Sequence, residues 1–314
     1  MRTTVLGGSG FLGSWTVRAL LSAGHTVTAI ARRPAPWRLE GADEGVVVAA
    51  EDGWAAAIAA SRPDVLVSLD WAGVGGSRRD DEEQWRNLDR QRTAIDAAIA
   101  SGARRVVAVG SQAEYGPRYG LTAEDAPLHP ATQYGRAKVA ASEQLAALCE
   151  AQGIDWVWAR VFSIYGPLDN EGVLLQKVHD ALIGGDSLDL SSGEQLWSYL
   201  YASDAARAMV ALAEHGDARG IYNVGHPLAP RLRDSIELFA RDLPHTGLLR
   251  FGALGDAAPP PASLEPSVSR LLSLDWLPEV ALAEGLDATA AWLSSRALPD
   301  PFSATKTLPR RRRA

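Results

Sequence analysis

The sequence predicts an α/β protein with a doubly wound parallel β-sheet, and three features of the chain lead to this prediction. Short apolar runs rich in valine alternate with stretches of helical periodicity. These runs are apolar at consecutive positions, so helices are expected to cover both faces of the sheet. A glycine-rich segment at residues 7–13 separates the first predicted strand from the first predicted helix.

The predicted elements follow one another from residue 3 onward. Strands are predicted at residues 3–6, 26–30, 46–48, 65–69, 106–109, 156–161 and 221–224. Helices are predicted after the glycine segment as far as Gly24, and over residues 54–60, 82–100, 133–151, 173–183 and 204–213. A proline-rich segment at 257–261 is predicted to be an irregular surface link.

The alternation of strands and helices loosens after residue 167, which predicts a smaller C-terminal substrate-binding lobe. We expect a dinucleotide-binding Rossmann domain at 1–167, to which 198–225 return. The lobe is then formed by 168–197 and 226–298, and a mobile basic tail occupies 299–314. Ligands of this fold class bind at the carboxyl ends of the strands, so a cleft is expected between sheet and lobe.

The composition excludes several classes of function. A net charge of -7 argues against a nucleic-acid-binding surface, which needs clustered Lys and Arg. The chain has no apolar run of the roughly 18 residues that a membrane span needs. The single cysteine, Cys149, excludes an internal disulfide, and the histidines show no metal-ligand spacing. We therefore expect a cytoplasmic protein without metal, nucleic-acid or membrane partners.

The glycine segment is the first candidate binding site. Missing side chains let the backbone turn tightly and approach a pyrophosphate, which the amides at the following helix N-terminus can stabilise. The position between strand and helix favours this reading over a plain glycine-rich turn. The residues expected to contact the dinucleotide here are Gly7, Ser9, Gly10, Phe11, Leu12 and Gly13.

The end of the second strand bears on the choice of nicotinamide. An acidic residue there normally binds the ribose hydroxyls of NAD, whereas this chain has Arg32 and Arg33. A guanidinium can bind a 2′-phosphate through two hydrogen bonds, so NADP(H) is favoured and NAD(H) is the alternative. The alternative is that Arg32 and Arg33 are solvated surface residues before Pro34 and have no contact with the cofactor.

Tyr134 and Lys138 form the catalytic candidate. A spacing of four residues places both on one face of the predicted helix, where an ammonium would lower the pKa of the phenol. Ser111, at the end of a predicted strand, can donate a hydrogen bond to a reacting carbonyl. The three residues together predict acid–base chemistry beside the nicotinamide.

With these residues the chain resembles the extended short-chain dehydrogenases/reductases, in particular the NAD(P)-dependent sugar epimerase/dehydratase family. The matching segments are 7–13, 111–116, 134–138, 160–167, 199–204, 221–225, 274–278 and 284–286. The resemblance implies that Tyr134 is the acid–base, Lys138 its partner and a ribose ligand, and Ser111 the carbonyl binder. It also implies that Asn87 supports the active site, that Asp52 lies near the adenine, and that the substrate is a nucleotide-diphosphate sugar. A homodimer is compatible with it.

Several positions depart from the family pattern. Family dehydratases carry Asp-Glu directly after the catalytic hydroxyl, and family epimerase-reductases carry a cysteine two residues after it; here Gln112 and Ala113 follow Ser111. Ser163 stands at a frequent asparagine, and Trp197 stands at the arginine that would bind the substrate pyrophosphate. Other arginines could replace that cation, namely Arg231, Arg233, Arg250 and Arg270. The expected substrate contacts are Trp71, Ser111, Gln112, Ser163 and Trp197, with lobe packing as the alternative role of the two tryptophans.

Three functional hypotheses follow. The leading one is an NADPH-dependent reductase of a keto group, with the C4 ketone of a nucleotide-activated deoxysugar as the expected substrate. The second is an NAD-retaining nucleotide-sugar epimerase, which uses the same Ser111 and Tyr134 without net redox. The third is a non-catalytic NADP-binding regulatory protein. The intact set of Ser111, Tyr134 and Lys138 argues against it, because a regulatory protein needs no catalytic acid.

Overall fold

The computed structural model of the protein describes residues 1–32, 36–40, 42, 46–255 and 263–295. Its strands, in chain order, are β1 (Arg2–Leu6), β2 (Thr26–Ala31), β3 (Val46–Val48), β4 (Val65–Ser68), β5 (Arg105–Ser111), β6 (Asp155–Val161), β7 (Ser163–Tyr165), β8 (Leu188–Leu190), β9 (Tyr199–Tyr201), β10 (Gly220–Val224) and β11 (Leu249–Phe251). Its helices are α1 (Phe11–Ser22), α2 (Pro36–Leu39), α3 (Trp54–Ser61), α4 (Glu83–Ala100), α5 (Gln133–Ala151), α6 (Leu174–Gly184), α7 (Ala202–Glu214), α8 (Leu232–Ala240), α9 (Ser269–Leu272) and α10 (Leu282–Ser295).

A seven-stranded parallel sheet forms the centre of the molecule and confirms the predicted fold class. The strand order is β3-β2-β1-β4-β5-β6-β10, so the sequence winds outward from β1 in both directions. The carboxyl ends of β1 and β4 are neighbours at the centre. In a doubly wound sheet this reversal of strand order is where ligands bind.

Helices cover both faces of the sheet, each over its own apolar core. On one face α1 and α7 pack together over a cluster that includes Val17, Leu20 and Met209. On the other face α3, α4 and α5 enclose Trp54, Ile95 and Trp158. Burial on both faces explains why the strands are apolar at consecutive positions.

The lobe is built from α6, α8, α10 and the small parallel pair of β8 with β11. A second parallel pair, β7 with β9, comes from segments expected in the sheet domain, but its tyrosines pack into the core of the lobe. The apolar core of the lobe continues into the sheet domain, because Trp15 of α1 packs with Tyr201 and donates its indole N–H to the carbonyl of Pro167. The lobe is therefore fixed against the N-terminal part of α1, beside the glycine segment.

The strands and helices predicted from periodicity are present with small shifts at their ends, and α5 has the predicted bounds. The three-residue strands β7, β8, β9 and β11 and the helices α8 and α10 were not predicted. The predicted link at 257–261 and the predicted tail at 299–314 lie outside the described residues. No helix in the described ranges has both the length and the apolar character that crossing a membrane requires.

Candidate active site

A cavity of about 2020 Å³ opens at the carboxyl ends of the central strands, between sheet and lobe. Its wall on the sheet side is formed by the glycine segment and the residues that follow β4 and β5. Its wall on the lobe side is formed by residues 168–176, Trp197, Tyr199 and the C-terminal part of α10. This is where the sequence analysis expected the cleft.

The glycine segment has the shape that a pyrophosphate requires. Gly7 has a φ of +82°, and a β-carbon there would lie 2.8 Å from the backbone nitrogen of Asp70. At Gly13 a β-carbon would lie 2.1 Å from the carbonyl oxygen of Gly7. Gly10 occupies the N-cap of α1 without a side-chain cap, so the first amides of a 12-residue helix stay available. All six predicted contact residues of this segment line the cavity.

At the end of β2, Arg32 is paired with a carboxylate that the sequence analysis did not identify. Its Nε lies 3.1 Å from Oδ1 of Asp70, the second residue after β4. Both residues line the cavity. Burial raises the pKa of Asp70, and the positive charges of Arg32 and Arg90 oppose this. Arg33 lies outside the described residues, so its part in cofactor selection stays a prediction.

Ser111 is the last residue of β5 and the N-cap of a short 3-10 helix, Gln112–Glu114. Its hydroxyl accepts a hydrogen bond from the amide of Ala113 at 3.2 Å. Its own amide donates to Oε1 of Glu114 at 2.7 Å. This capping box fixes both the backbone and the side chain of Ser111 at the cavity wall.

Tyr134 lies in the first turn of α5, where Thr132 caps the helix by accepting the amide of Gly135 at 3.1 Å. The phenol is buried, and the Ser111 side chain is near enough to lower its pKa, so the two predicted catalytic hydroxyls are neighbours. Burial raises the pKa of Tyr134, although the hydrogen bond from Ser111 and the charge of Arg79 oppose it. The expectation of a lowered phenol pKa was therefore wrong for this arrangement.

Lys138 lies one turn further along α5, and its side chain is almost completely buried. Its Nζ donates to the carbonyl oxygen of Val109 at 2.6 Å and lies 6.0 Å from the ring centroid of Tyr134. Burial lowers the pKa of Lys138 to about 7, and the negative charges of Glu114 and Asp70 oppose the decrease. The ammonium is thus behind the phenol, as the spacing predicts.

A buried ion pair lies directly beneath Ser111. Nε of Arg160, in β6, is 2.7 Å from Oε2 of Glu114, and both side chains are at most 2% exposed. The indole of Trp158 donates to the same carboxylate, and Arg160 also donates to the hydroxyl of Tyr115 at 3.0 Å. No role of this ion pair was predicted from the sequence. An arginine within the otherwise apolar predicted strand 156–161 was the signal that could have indicated it.

The other predicted site residues divide into two groups. Trp71, Gln112, Ser163 and Trp197 line the cavity. Asn87 is buried behind it and holds the loop after β4, because its amide accepts from the Ala72 nitrogen at 2.9 Å and donates to the Ala72 oxygen at 3.2 Å. Asp52 is exposed in a 3-10 helix outside the cavity lining, and its predicted contact with adenine stays a prediction.

Comparison with known proteins agrees with this geometry. Residues 3–225 match the family model described as the NAD dependent epimerase/dehydratase family. The chain belongs to this family. The resemblance found in the sequence is thereby confirmed, and the relatives include nucleotide-sugar epimerases and a nucleotide-sugar dehydrogenase.

Two curated relatives represent two kinds of reaction within the family. UDP-glucose 4-epimerase of Mycolicibacterium smegmatis is 28% identical over 94% of this chain and 99% of its own length. dTDP-6-deoxy-L-talose 4-dehydrogenase (NAD(P)(+)) of Kitasatospora kifunensis is 30% identical over 77% of this chain and 79% of its own. Among solved structures, MoeE5 in complex with UDP-glucuronic acid and NAD shares the fold, with a TM-score of 0.80, 24% identity, and 95% and 100% of the two chains covered.

The four arginines considered as substitutes for the family arginine lie elsewhere. Arg231, Arg233 and Arg250 are paired with carboxylates, and Arg270 donates to the carbonyls of residues 221 and 219. The cavity lining includes none of them. That expectation was wrong, because three of these side chains pair with nearby carboxylates and the fourth binds backbone carbonyls, so none of them extends into the cavity.

Other arginines do reach the cavity, from the sheet side. They are Arg32, Arg38, Arg78 and Arg79. Arg38 is held by the carbonyl of Leu168 at 3.0 Å and by Asn170 at 3.0 Å. The guanidinium of Arg79 lies 5.1 Å from the ring centroid of Tyr134, and in the described part of the chain no carboxylate pairs with it. Among the described residues, the lobe side of the cavity carries neither arginine nor lysine.

Proposed function

We propose that this protein is an NADPH-dependent reductase of a keto group, with the C4 ketone of a nucleotide-activated deoxysugar as its substrate and Tyr134 as the proton donor. The observation that carries the proposal is the meeting of the Ser111 and Tyr134 hydroxyls on the cavity wall, with Lys138 buried behind them. The similarity to a 4-dehydrogenase of a dTDP-6-deoxysugar supports the same class of reaction and substrate.

When bound, the reduced nicotinamide supplies the hydride that is added to the carbonyl carbon. Ser111 holds the carbonyl oxygen by a hydrogen bond, with its own position fixed by the capping box. Tyr134 transfers its proton to that oxygen as the alcohol forms, and the phenol then regains a proton from solvent. Lys138 stabilises the transient phenolate by its charge, which its contact with the Val109 carbonyl keeps in place.

The protonation state of Tyr134 matches the role of proton donor. A group that donates a proton must be protonated at the working pH, and burial raises the pKa of this phenol above its ordinary value. The protonated phenol is the state that a reductase needs, and it supports the role of Tyr134 as proton donor.

The residues around Ser111 support simple reduction. Gln112, which lines the cavity, and Ala113 offer neither an acid to protonate a leaving group nor a thiol to exchange a proton beside the carbonyl. Glu114 is the nearest carboxylate along the chain, but it is fully buried and bound by Arg160. Dehydration and epimerisation at the neighbouring carbon would both require a group that these positions do not supply.

Arg79 and Arg78 are the proposed contacts for the anionic part of the substrate. They take the place of the family arginine that Trp197 replaces, and they approach from the sheet side. Arg79 has a guanidinium beside the catalytic phenol that no carboxylate in the described residues neutralises. A diphosphate would supply the missing negative charge, and the aromatic rings of Trp197 and Tyr199 would contact the rest of the nucleotide.

A nucleotide-sugar 4-epimerase is the second candidate. It rests on the similarity to the UDP-glucose 4-epimerase, which extends over almost the full length of both chains. Asp70 adds to it, because a carboxylate at the end of β4 could bind ribose hydroxyls of NAD in place of the missing acid after β2. This reading would make Arg32 a partner of Asp70 rather than of a 2′-phosphate.

The test compares the two activities in one preparation. The purified protein is incubated with a dTDP-4-keto-6-deoxyhexose and NADPH, and the loss of absorbance at the nicotinamide wavelength is followed. Tyr134→Phe should lower turnover roughly 10²–10⁴-fold with NADPH binding retained. A parallel incubation with UDP-glucose and NAD, analysed by chromatography, detects epimerisation without absorbance change. Epimerisation without reduction would refute the reductase and support the epimerase. Tight NADPH binding without either reaction would refute both enzymes and support the non-catalytic regulatory protein.

A further inference from the structure

Trp71 stands in the cavity wall with its indole fixed from behind. Its Nε1 donates to Oε1 of Gln84 at 2.8 Å. Gln84 is fully buried, and its amide nitrogen donates to the carbonyls of Gly73 at 2.7 Å and Arg78 at 2.9 Å. The side chain of Gln84 therefore has one orientation, and the polar edge of the indole is used within the protein rather than offered to a substrate.

The face of the same indole covers the ammonium of Lys138. Nζ lies 3.6 Å from the ring centroid of Trp71, closer than to the ring of Trp158 at 5.6 Å or of Tyr134 at 6.0 Å. The edge contact of Trp71 with Tyr134, with an interplanar angle of 84°, places one indole against both members of the catalytic pair. Among the described residues, Nζ has one hydrogen bond, to the carbonyl of Val109, and its other close electrostatic contact is the face of the Trp71 indole.

We propose that Trp71 is a positioning residue of the catalytic pair, which holds the ammonium of Lys138 against its indole face and favours the charged form. The negative electrostatic potential of the ring compensates part of the hydration that a buried ammonium has lost. This role replaces the substrate contact that the sequence analysis expected of Trp71. The positioning role rests on the proposed function in one respect, namely that Lys138 assists Tyr134 in the reduction.

The other charges around Lys138 do not remove the need for this contact. Glu114, below β5, and Asp70, after β4, are the carboxylates that favour the ammonium, but each is already paired, with Arg160 and with Arg32 respectively. Tyr134 is neutral in its protonated form, and Arg79, whose guanidinium lies 5.1 Å from the centroid of that ring, is a further positive charge. Burial remains the dominant influence and lowers the pKa of Lys138.

The test measures the protonation of Lys138 directly and needs no substrate. The chain has three lysines, Lys138, Lys177 and Lys306, so a protein labelled with ¹³C at the lysine ε-carbon gives a spectrum simple enough to assign with Lys138→Met. The variant Trp71→Leu removes the aromatic face and keeps an apolar side chain, whereas Trp71→Phe keeps a ring. Trp197→Leu is the matched control, because it removes a tryptophan of the same cavity that does not contact Lys138.

We expect Trp71→Leu to lower the titration midpoint of Lys138 by about one pH unit, a tenfold change in the ratio of ammonium to amine. Trp71→Phe should lower it by less than half as much, and Trp197→Leu should leave it unchanged. An unchanged or increased midpoint in Trp71→Leu would overturn the proposal. Should that variant fail to fold, the wild-type spectrum decides: the ε-protons of Lys138 must be shifted upfield by the ring current of the indole, and their absence from that region counts against it.

The outcome is separable from the proposed function. A lowered midpoint in Trp71→Leu, found in a protein that reduces no keto sugar, would support the positioning role and refute the reductase. In an active reductase the pH profile of kcat should move in the same direction as the NMR midpoint. An NMR midpoint that stays in place while kcat falls would mean that Trp71 acts on the substrate, which would contradict the proposal.

Discussion

Replacing Glu114 by glutamine removes the only charge that Arg160 is paired with among the described residues. The carboxylate has four short contacts: the Ser111 amide at 2.7 Å, the Trp158 indole at 3.0 and 3.1 Å, and Nε of Arg160 at 2.7 Å. All of them are donors, and a carboxylate accepts on both oxygens. A glutamine accepts on one oxygen only, so its NH₂ group must face one of these donors.

The expected cost follows from burial. Both side chains are at most 2% exposed, so solvent does not screen the guanidinium left behind. Removing one partner of a buried pair typically destabilises a protein by about 3–5 kcal/mol, which is the loss we expect for Glu114→Gln. Glu237→Gln is the control. Its carboxylate is 2.8 Å from Nε of Arg233, a nearly identical distance, but the pair is about half exposed and should contribute no more than about 0.5 kcal/mol.

The assay is urea-induced unfolding at neutral pH, followed by far- and near-ultraviolet circular dichroism, which must give the same midpoint. The double variant Glu114→Gln with Arg160→Met completes a thermodynamic cycle and should recover part of the loss, because the unpaired charge is gone. A loss below about 1 kcal/mol in Glu114→Gln, equal to that of Glu237→Gln, would refute the reasoning.

Three further predictions concern cofactor, substrate and pH. Asp70→Asn frees Arg32 for a 2′-phosphate and should lower the KM for NADPH about two- to fivefold, while an equal change for NADH would contradict the assignment. Arg79→Met should raise the KM for a dTDP-keto sugar by at least about tenfold, whereas Arg231→Met, outside the cavity, should not; equal effects would exclude Arg79 as the anion contact. Burial lowers the pKa of Lys138 to about 7, so above that pH the unfolded chain binds a proton that the folded chain does not. The free energy of unfolding should therefore rise with pH between about pH 7.5 and about pH 8.5, by up to about 1.4 kcal/mol per unit, and Lys138→Met should lack this increase; identical slopes in the two proteins would refute the lowered pKa.

The features that could be predicted from sequence are those in which neighbours along the chain are also neighbours in space. The bounds of α5 and the common face of Tyr134 and Lys138 follow from helical periodicity alone. Ser111 was placed at a strand end because the apolar run stops there. The strands β7, β8, β9 and β11 have three residues each and, unlike the three valines of β3, do not stand out as apolar runs, so the two small sheets were missed. The helices α8 and α10 were missed as well.

Contacts between distant segments could not be predicted, because they depend on strand order. Arg32 meets Asp70 only because β2 and β4 both flank β1. Glu114 and Arg160 are 46 residues apart and meet because β5 and β6 pair in register, which places Arg160 beside Gly110. The pKa of Tyr134 was misjudged for a related reason, since spacing shows which charge is near but not how much solvent has been removed.

The loop after β4 carries positive charge on the sheet wall of the cavity. By resemblance Trp197 corresponds to an arginine of the family, and among the described residues the lobe wall of the cavity carries neither arginine nor lysine. Arg79 provides a cation from the opposite wall, on a loop held from α4 at two points: Asn87 binds the backbone of Ala72, and Gln84 binds that of Gly73 and Arg78. The same Gln84 fixes Trp71 over Lys138. One helix thus positions the proposed anion contact and the indole beside the catalytic lysine, so substitutions at Gln84 should affect substrate affinity and the protonation of Lys138 together.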